Sequence, residues 1–397
     1  MSTIKVDGIR SNSASSDAIT LDGNGKCAVT GTTITADTGK FSNLPNRNLI
    51  INGAMQVAQR GTSSTSTSSV KTIDRYIVFH QGANESPTQS QEDVASGTTP
   101  YTLGFRKCFR ITNGNQSNAD AGDYVWIRYK VESQDLAKCG WNYTSTSSFA
   151  TLSFWVKSSV AQDFKGYLRT NDGTKQNYAF STGALSANTW TKITKVLPGA
   201  SGIQFDNDNG TGLEINIAPF FGTNYSDAGT TEHVWTTYVS GERTAPSTDT
   251  WWLTDDATFE MTGLQLEVGD SATDFEHRSY GHELYLCQRY FELVKWKYYF
   301  VTGYYQGNGN PVVPLSWNVE KRATPTVTLP TVGTGLNQIQ VTNSGGSWDT
   351  SSTNIAANHI STLFARIEGS GYGGSASTVC SLYINGTDGS VQINAEL

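Results

Sequence analysis

Five histidines, His80, His233, His277, His282 and His359, are the first residues to question for metal or acid–base chemistry. They lie far apart, none forms an H-E-x-x-H pair, and His282 beside Glu283 has no second ligand on its helix face, so surface or capping roles fit each of them. Carboxylates cluster at Asp206 and Asp208, Asp255 and Asp256, and Asp270 and Asp274. A glycosidase needs two carboxylates roughly 5 to 9 Å apart, a separation that the fold sets, and all six residues are accounted for as formers of Asx turns. Asp206-Asn207-Asp208-Asn209-Gly210 resembles the front of a calcium loop, yet its twelfth position is Ile217 rather than the closing glutamate. No G-x-S-x-G elbow or phosphate-binding glycine loop is present. The reading is therefore of no catalytic residue, no metal and no cofactor.

What remains is aromatic chemistry. Saccharides are held by ring faces supplemented with Asn, Asp and Gln hydrogen bonds, and the chain has 10 Trp and 18 Tyr. Trp126 and Trp155 alternate within apolar strands and read as core. Trp141, Tyr143, Trp235, Trp251, Trp252, Trp348 and Tyr372 lie near turns and are expected at the surface. Trp348, Tyr372, Trp251 and Trp252 are the candidate glycan-binding residues, the first two, in the carboxy-terminal part of the chain, being favoured.

The composition indicates how such residues are carried. Among 397 residues, 39 are Gly and only 16% are charged, below the usual quarter, which suits twisted sheets joined by tight turns. A net charge of -7 without any run of Lys or Arg argues against a nucleic-acid surface. No stretch approaches the length of a membrane span, and the first residues lack the apolar core of a secretory signal, so synthesis in a cytosol is expected. Cys27, Cys108, Cys139, Cys287 and Cys380 are odd in number and widely spaced, which predicts reduced, buried thiols.

Four segments follow. Residues 1–47 contain two thin strands, Ala18–Leu21 and Ala28–Thr35, around an Asp22-Gly-Asn-Gly turn, too small a hairpin to hold itself together without a partner. Residues 48–278 show near-alternating runs, clearest at Phe109–Ile111, Tyr124–Val131, Ala150–Lys157, Trp190–Leu197, Gly212–Ala218 and Phe259–Val268, with Gly263 placed for a bulge. Many strands without intervening helices predict an antiparallel two-sheet sandwich, most simply a jelly roll. Residues 279–296 change to helical spacing: Tyr280, Leu284, Cys287, Phe291 and Val294 fall on one stripe, predicted to pack either on its own chain or on copies of itself about an axis. Residues 297–397 form a last β module, with strands at Tyr298–Tyr304, Thr326–Leu329, Gln338–Thr342, His359–Ile367 and Val379–Asn385, and with Pro311, Pro314, Pro325 and Pro330 confining parts of it to edges and turns.

Ordered motifs carry a resemblance. Asn48-Leu-Ile-Ile-Asn-Gly-Ala-Met-Gln-Val-Ala-Gln-Arg-Gly, Leu152-Ser-Phe-Trp-Val-Lys-Ser, Asn188-Thr-Trp-Thr-Lys and Thr262-Gly-Leu-Gln-Leu-Glu-Val-Gly, followed by Phe275-Glu-His-Arg-Ser-Tyr-Gly-His-Glu-Leu and Cys287-Gln-Arg-Tyr, resemble the carbohydrate-binding-like jelly roll of tail fibres and related virion proteins of tailed bacteriophages. The resemblance covers about residues 48–294. It implies a homotrimeric, non-enzymatic fibre assembled in the host cytoplasm. The amino-terminal segment would join phage tail or adaptor proteins, the helix stripe would lie at the trimer interface, and the carboxy-terminal module would recognise a host surface glycan. An architectural adaptor or head fibre, and a polysaccharide depolymerase, are the alternatives. Neither nucleic acid nor membrane insertion enters any of them.

Overall fold

A computed structural model describes residues 8–9, 19–21, 27–29, 46–295, 300–333, 338–342, 348–349, 354–385 and 390–397. The chain divides into two compact units, Met1–Pro45 and Asn46–Leu397. In the first, β1 (Gly8–Ile9), β2 (Ile19–Leu21) and β3 (Cys27–Val29) form a three-stranded antiparallel sheet. The predicted Asp22–Gly25 turn lies outside the described residues.

The second unit opens with twelve strands: β4 (Ser63–Ser64), β5 (Tyr76–Gln81), β6 (Thr88–Asp93), β7 (Lys107–Thr112), β8 (Tyr124–Glu132), β9 (Phe149–Ser158), β10 (Asp163–Thr170), β11 (Gln176–Ala184), β12 (Thr191–Pro198), β13 (Thr211–Phe221), β14 (Trp235–Thr237) and β15 (Thr258–Val268). Short helices α1 (Thr99–Thr102) and α2 (Ser133–Lys138) interrupt them. The strands make two six-stranded antiparallel sheets, ordered β14-β11-β10-β13-β8-β5 and β12-β9-β15-β7-β6-β4. This is the predicted all-β sandwich. Period-two alternation puts Val125, Ile127, Tyr129 and Val131 of β8 into a shared core with Leu152, Phe154 and Val156 of β9 and Phe259, Met261, Leu264 and Leu266 of β15. On β15 the alternation slips where predicted: Gly263 takes φ 66°, and the register against β9 shifts between Thr262 and Gln265.

The helix is shorter than its apolar spacing suggested. α3 runs Tyr280–Gln288, capped by the Ser279 hydroxyl, which accepts from the His282 N–H at 3.4 Å. A continuous stripe from Tyr280 to Val294 needs about four turns, but Phe291–Lys295 is instead β16, paired with β25 (Ser390–Asn394). Long-range pairing of an aromatic and β-branched run has overridden local helical spacing. α3 turns Glu283 and Cys287 inward, while Tyr280 is exposed and Leu284 half-buried. Glu283 accepts from the Asn52 N–H at 2.5 Å and sits 3.6 Å from Arg278. Cys287 and Phe291 are buried within this chain, and Val294 packs on the carboxy-terminal core.

Beyond β16 come β17 (Phe300–Gly307), β18 (Asn310–Ser316), β19 (Thr326–Thr328), β20 (Gln338–Thr342), β21 (Trp348–Asp349), β22 (Ile355–Asn358), β23 (Phe364–Gly369), β24 (Val379–Asn385) and β25. They make a three-stranded sheet, β16-β25-β19, and a seven-stranded one, β21-β20-β24-β17-β18-β23-β22. Pro311 and Pro314 lie in an interior strand here rather than at an edge. β18 tolerates them because a bulge adjoins Pro311 at the Tyr305/Gly307 shift, and because the β17 pairing ends at Val312, leaving Pro314 paired with β23 alone.

Residues 395–397 return to the sandwich. Glu396 reaches Arg75 at 2.6 Å and Arg60 at 3.3 Å, the Lys130 ammonium donates to the Leu397 carbonyl at 2.9 Å, and Arg289 pairs with Glu132 at 2.9 Å. The Arg75 guanidinium also lies over the Tyr290 ring, 3.4 Å from its centroid.

Candidate functional site

The outer face of the sheet β14-β11-β10-β13-β8-β5 follows from the same alternation that fills the core. If Val125, Ile127, Tyr129 and Val131 point inward, then Trp126, Arg128 and Lys130 must point outward. On β10 the outward residues are Lys165, Tyr167 and Arg169, on β13 Glu214 and Asn216, and on β11 Asn177. Register aligns them in two rows: Arg128 beside Asn216 beside Tyr167, and Lys130 beside Glu214 beside Arg169 beside Asn177. Glu214 lies 3.3 Å from Arg128 and 2.8 Å from Arg169, and Arg128 Nε donates to Asn216 Oδ1 at 3.0 Å.

Residues 222–247, the connection leaving β13, cross over this face. They are tied to the β11 edge of the sheet where the Tyr238 N–H donates to the Lys175 carbonyl at 2.8 Å and the His233 N–H to the Ala179 carbonyl at 2.8 Å, and to its outer face where the Asn177 amide donates to the Arg243 carbonyl at 3.1 Å. Tyr225 packs edge-on to Tyr124 at 5.1 Å, and Phe79 stacks on Trp126 at 4.8 Å. Trp126, Tyr167, Ala218 and Phe221 form a small cluster under this layer. Guanidinium groups lie among the rings: Arg243 is 4.8 Å from the Tyr225 centroid and 5.4 Å from that of Trp126, Arg169 4.9 Å from Tyr238, and Arg128 4.6 Å from Phe79.

Buried polar atoms without a hydrogen-bond partner among the described residues concentrate here: the Trp126 indole N–H, the Tyr167 hydroxyl, Asn216 Nδ2, Asn177 Oδ1, Glu214 Oε2, Arg169 Nε, and Nε and Nη1 of Arg243. Tyr167 and Asn216 are fully buried, Asn177 is 2% exposed and Trp126 5%. A buried polar group without a partner costs about 1–3 kcal/mol, and such groups are ordinarily satisfied by ordered water or by a bound molecule. Burial pushes the Tyr167 phenol up, only partly opposed by Arg243 and Arg128, so it stays a neutral donor. Burial works most strongly against the Arg169 charge, but Glu214 together with Tyr167 and Tyr238 outweighs it and holds the guanidinium protonated. Ring faces, amides and hydroxyl donors on one rigid sheet can grip a polyhydroxylated ligand.

The residues singled out from sequence are not on this face. Trp251 and Trp252 are completely buried. Trp252 stacks on Phe220 at 5.0 Å and donates to the Asn118 carbonyl at 2.8 Å, because the turn that carries both tryptophans folds inward to close one end of the sandwich. Tyr372 is 4% exposed and belongs to the carboxy-terminal core, and Trp141, also expected outside, is 4% exposed. Trp348 pairs through its backbone with Thr342, and its side chain lies outside the described residues. Proximity to a turn is thus a poor guide to exposure. Trp126, read as core, is buried on the opposite side of its strand. The overlooked signal was the second phase of β8, where Trp126, Arg128 and Lys130 alternate with the apolar set.

Among the described residues no group of three or more His, Cys, Asp or Glu side chains is placed to hold a metal ion, and no helix is long and apolar enough to cross a membrane. Cys108, Cys287 and Cys380 are buried free thiols and Cys139 is a half-buried one. Asp208 accepts from the Gly210 N–H at 2.8 Å, the Asx turn expected of it.

No protein-family profile and no curated protein sequence matches the chain. Among solved structures it is similar to the enzymatically active domain of tailspike protein 4 from bacteriophage CBA120, at 12% identity and a TM-score of 0.30, over 56% of this chain and 22% of that one. It is also similar to the N-terminal cellulose-binding domain of Cellulomonas fimi β-1,4-glucanase C (9% identity, TM-score 0.26, 54% and 100% covered). A third is the family 11 carbohydrate-binding module of Clostridium thermocellum (13% identity, TM-score 0.23, 51% and 91% covered).

Proposed function

We propose that this protein binds glycans without cleaving them, through the outer face of the sheet β14-β11-β10-β13-β8-β5. The carrying observation is the group of Trp126, Tyr167, Asn177 and Asn216, buried among aromatic rings with polar atoms unpartnered by the described residues. Sugars match such a face because their C–H surfaces stack on rings while their hydroxyls take up hydrogen bonds. The reading is non-catalytic because the carboxylate at the centre, Glu214, is held by Arg128 and Arg169, whereas glycoside hydrolysis uses two carboxylates flanking the bond.

The ordered motifs of residues 48–294 support a place for this binding in the fibre of a tailed-phage virion, assembled in the host cytoplasm and attaching to the host surface. In this reading the fibre is a homotrimer whose Met1–Pro45 unit joins tail or adaptor proteins, and three copies raise the effective affinity of weak sugar sites. The test uses the full chain on an array of bacterial surface polysaccharides, with its mass measured by light scattering. Glycan binding that Trp126→Ala and Asn216→Ala both weaken by tenfold or more supports the site. Binding that neither variant changes refutes it, and a folded monomer at low micromolar concentration refutes the fibre assignment.

A further inference from the structure

Resting on the glycan-binding reading, we infer that the ligand of this face is acidic, a saccharide bearing a carboxylate or sulfate group, and that Arg243 is the residue selecting it. Two independent observations lead there. The first is charge. Arg128, Arg169 and Arg243 share the face with one central carboxylate, Glu214, which takes Arg128 at 3.3 Å and Arg169 at 2.8 Å. Lys130 is engaged with the Leu397 carbonyl, and Lys165 with Asp163 and Glu232 at 2.8 and 3.4 Å. Arg243 has no carboxylate within ion-pairing distance among the described residues: Nη2 donates to the Ser240 hydroxyl at 3.2 Å, and Nε and Nη1 are buried without an acceptor. In a chain of net charge -7, this face holds surplus positive charge.

The second observation is the balance of donors and acceptors. The unpartnered atoms are mainly donors: the Trp126 indole, the Asn216 amide nitrogen, Arg169 Nε and the two Arg243 nitrogens, with the Tyr167 hydroxyl able to join them. Asn177 Oδ1 and Glu214 Oε2 are the acceptors among them, the second lying 3.3 Å from Arg128. A neutral sugar hydroxyl brings one donor with each pair of acceptor sites, whereas a carboxylate or sulfate brings acceptors alone and strengthens every bond with its charge. Rings flank the half-buried Arg243 guanidinium and cannot accept in its plane, so an anion arriving on its open side meets a partly desolvated cation.

The experiment prints acidic oligosaccharides beside carboxyl-reduced or desulfated counterparts of the same linkage, and titrates the full chain against matched pairs at 50 and 300 mM NaCl. Expected is a preference of about tenfold or more for the acidic member at low salt, falling as salt rises. In Arg243→Gln the acidic-to-neutral ratio should drop towards unity while circular dichroism stays that of the parent. Preference for uronates or for sulfate esters identifies which anion the site takes. Equal affinity within pairs overturns the acidic assignment and leaves glycan binding standing, whereas silence towards both members removes glycan binding itself. An acidic preference that survives Arg243→Gln overturns the role given to that residue.

Discussion

Tyr167→Phe separates a binding face from an ordinary core. The Tyr167 side chain is fully buried, and its hydroxyl has no hydrogen-bond partner among the described residues. Removing that oxygen keeps the ring, which packs at 6.2 Å from Phe221, and abolishes a desolvation cost of about 1–3 kcal/mol. The variant should therefore be more stable than its parent, by about 1 kcal/mol or more, raising Tm by roughly 2–4 °C in calorimetry. With glycan present the order should reverse. One lost hydrogen bond to ligand weakens binding by about 0.5–1.5 kcal/mol, or roughly two- to tenfold by isothermal titration. Stability gained where affinity is lost marks a group kept for binding. If Tyr167→Phe lowers Tm and leaves affinity unchanged, the hydroxyl serves the free protein and the reasoning fails.

Four further outcomes are expected. Glu396→Ala leaves the buried Arg75 guanidinium without its carboxylate and should cost about 3 kcal/mol in urea unfolding, whereas a rim ion pair would cost under 1. Burial holds the Asp74 carboxyl up at about 7, against opposition from Arg60 and Gln59. The unfolded group ionises first, so its contribution to stability is complete below about pH 4 and is lost as pH rises through 7; Asp74→Asn should flatten that slope in a pH series of melts. Gly263→Ala forces a Cβ to within 2.7 Å of the Phe105 ring at φ 66°, and a loss above 1 kcal/mol should appear in the same unfolding assay. Phe291→Asp should unfold the chain, because Phe291 is 1% exposed, whereas half-buried Leu284→Asp should leave it folded and, under the trimer proposal, shift its mass downward in light scattering.

Sequence alone determined the periodicities. Two-residue alternation in Tyr124–Val131, Ala150–Lys157 and Phe259–Val268 is a local record of one face meeting a core, so these strands and the two-sheet antiparallel architecture were legible, as was the Gly263 slip. Where alternation is blurred by polar residues, at Thr88–Asp93 and Gln176–Ala184, strands were missed because their neighbours hold them in place. Tertiary structure decided the rest. Phe291–Lys295 became a strand because Ser390–Asn394, about a hundred residues on, offers it a partner. Trp251 and Trp252 left the surface because a turn can fold inward as readily as outward. The outer face came together from β8, β10, β11, β13 and the 222–247 crossing, none of which contains more than a fragment of it. Side-chain direction is written in the local pattern, but which faces become neighbours depends on register and crossover, and these are set by contacts between residues far apart in the chain.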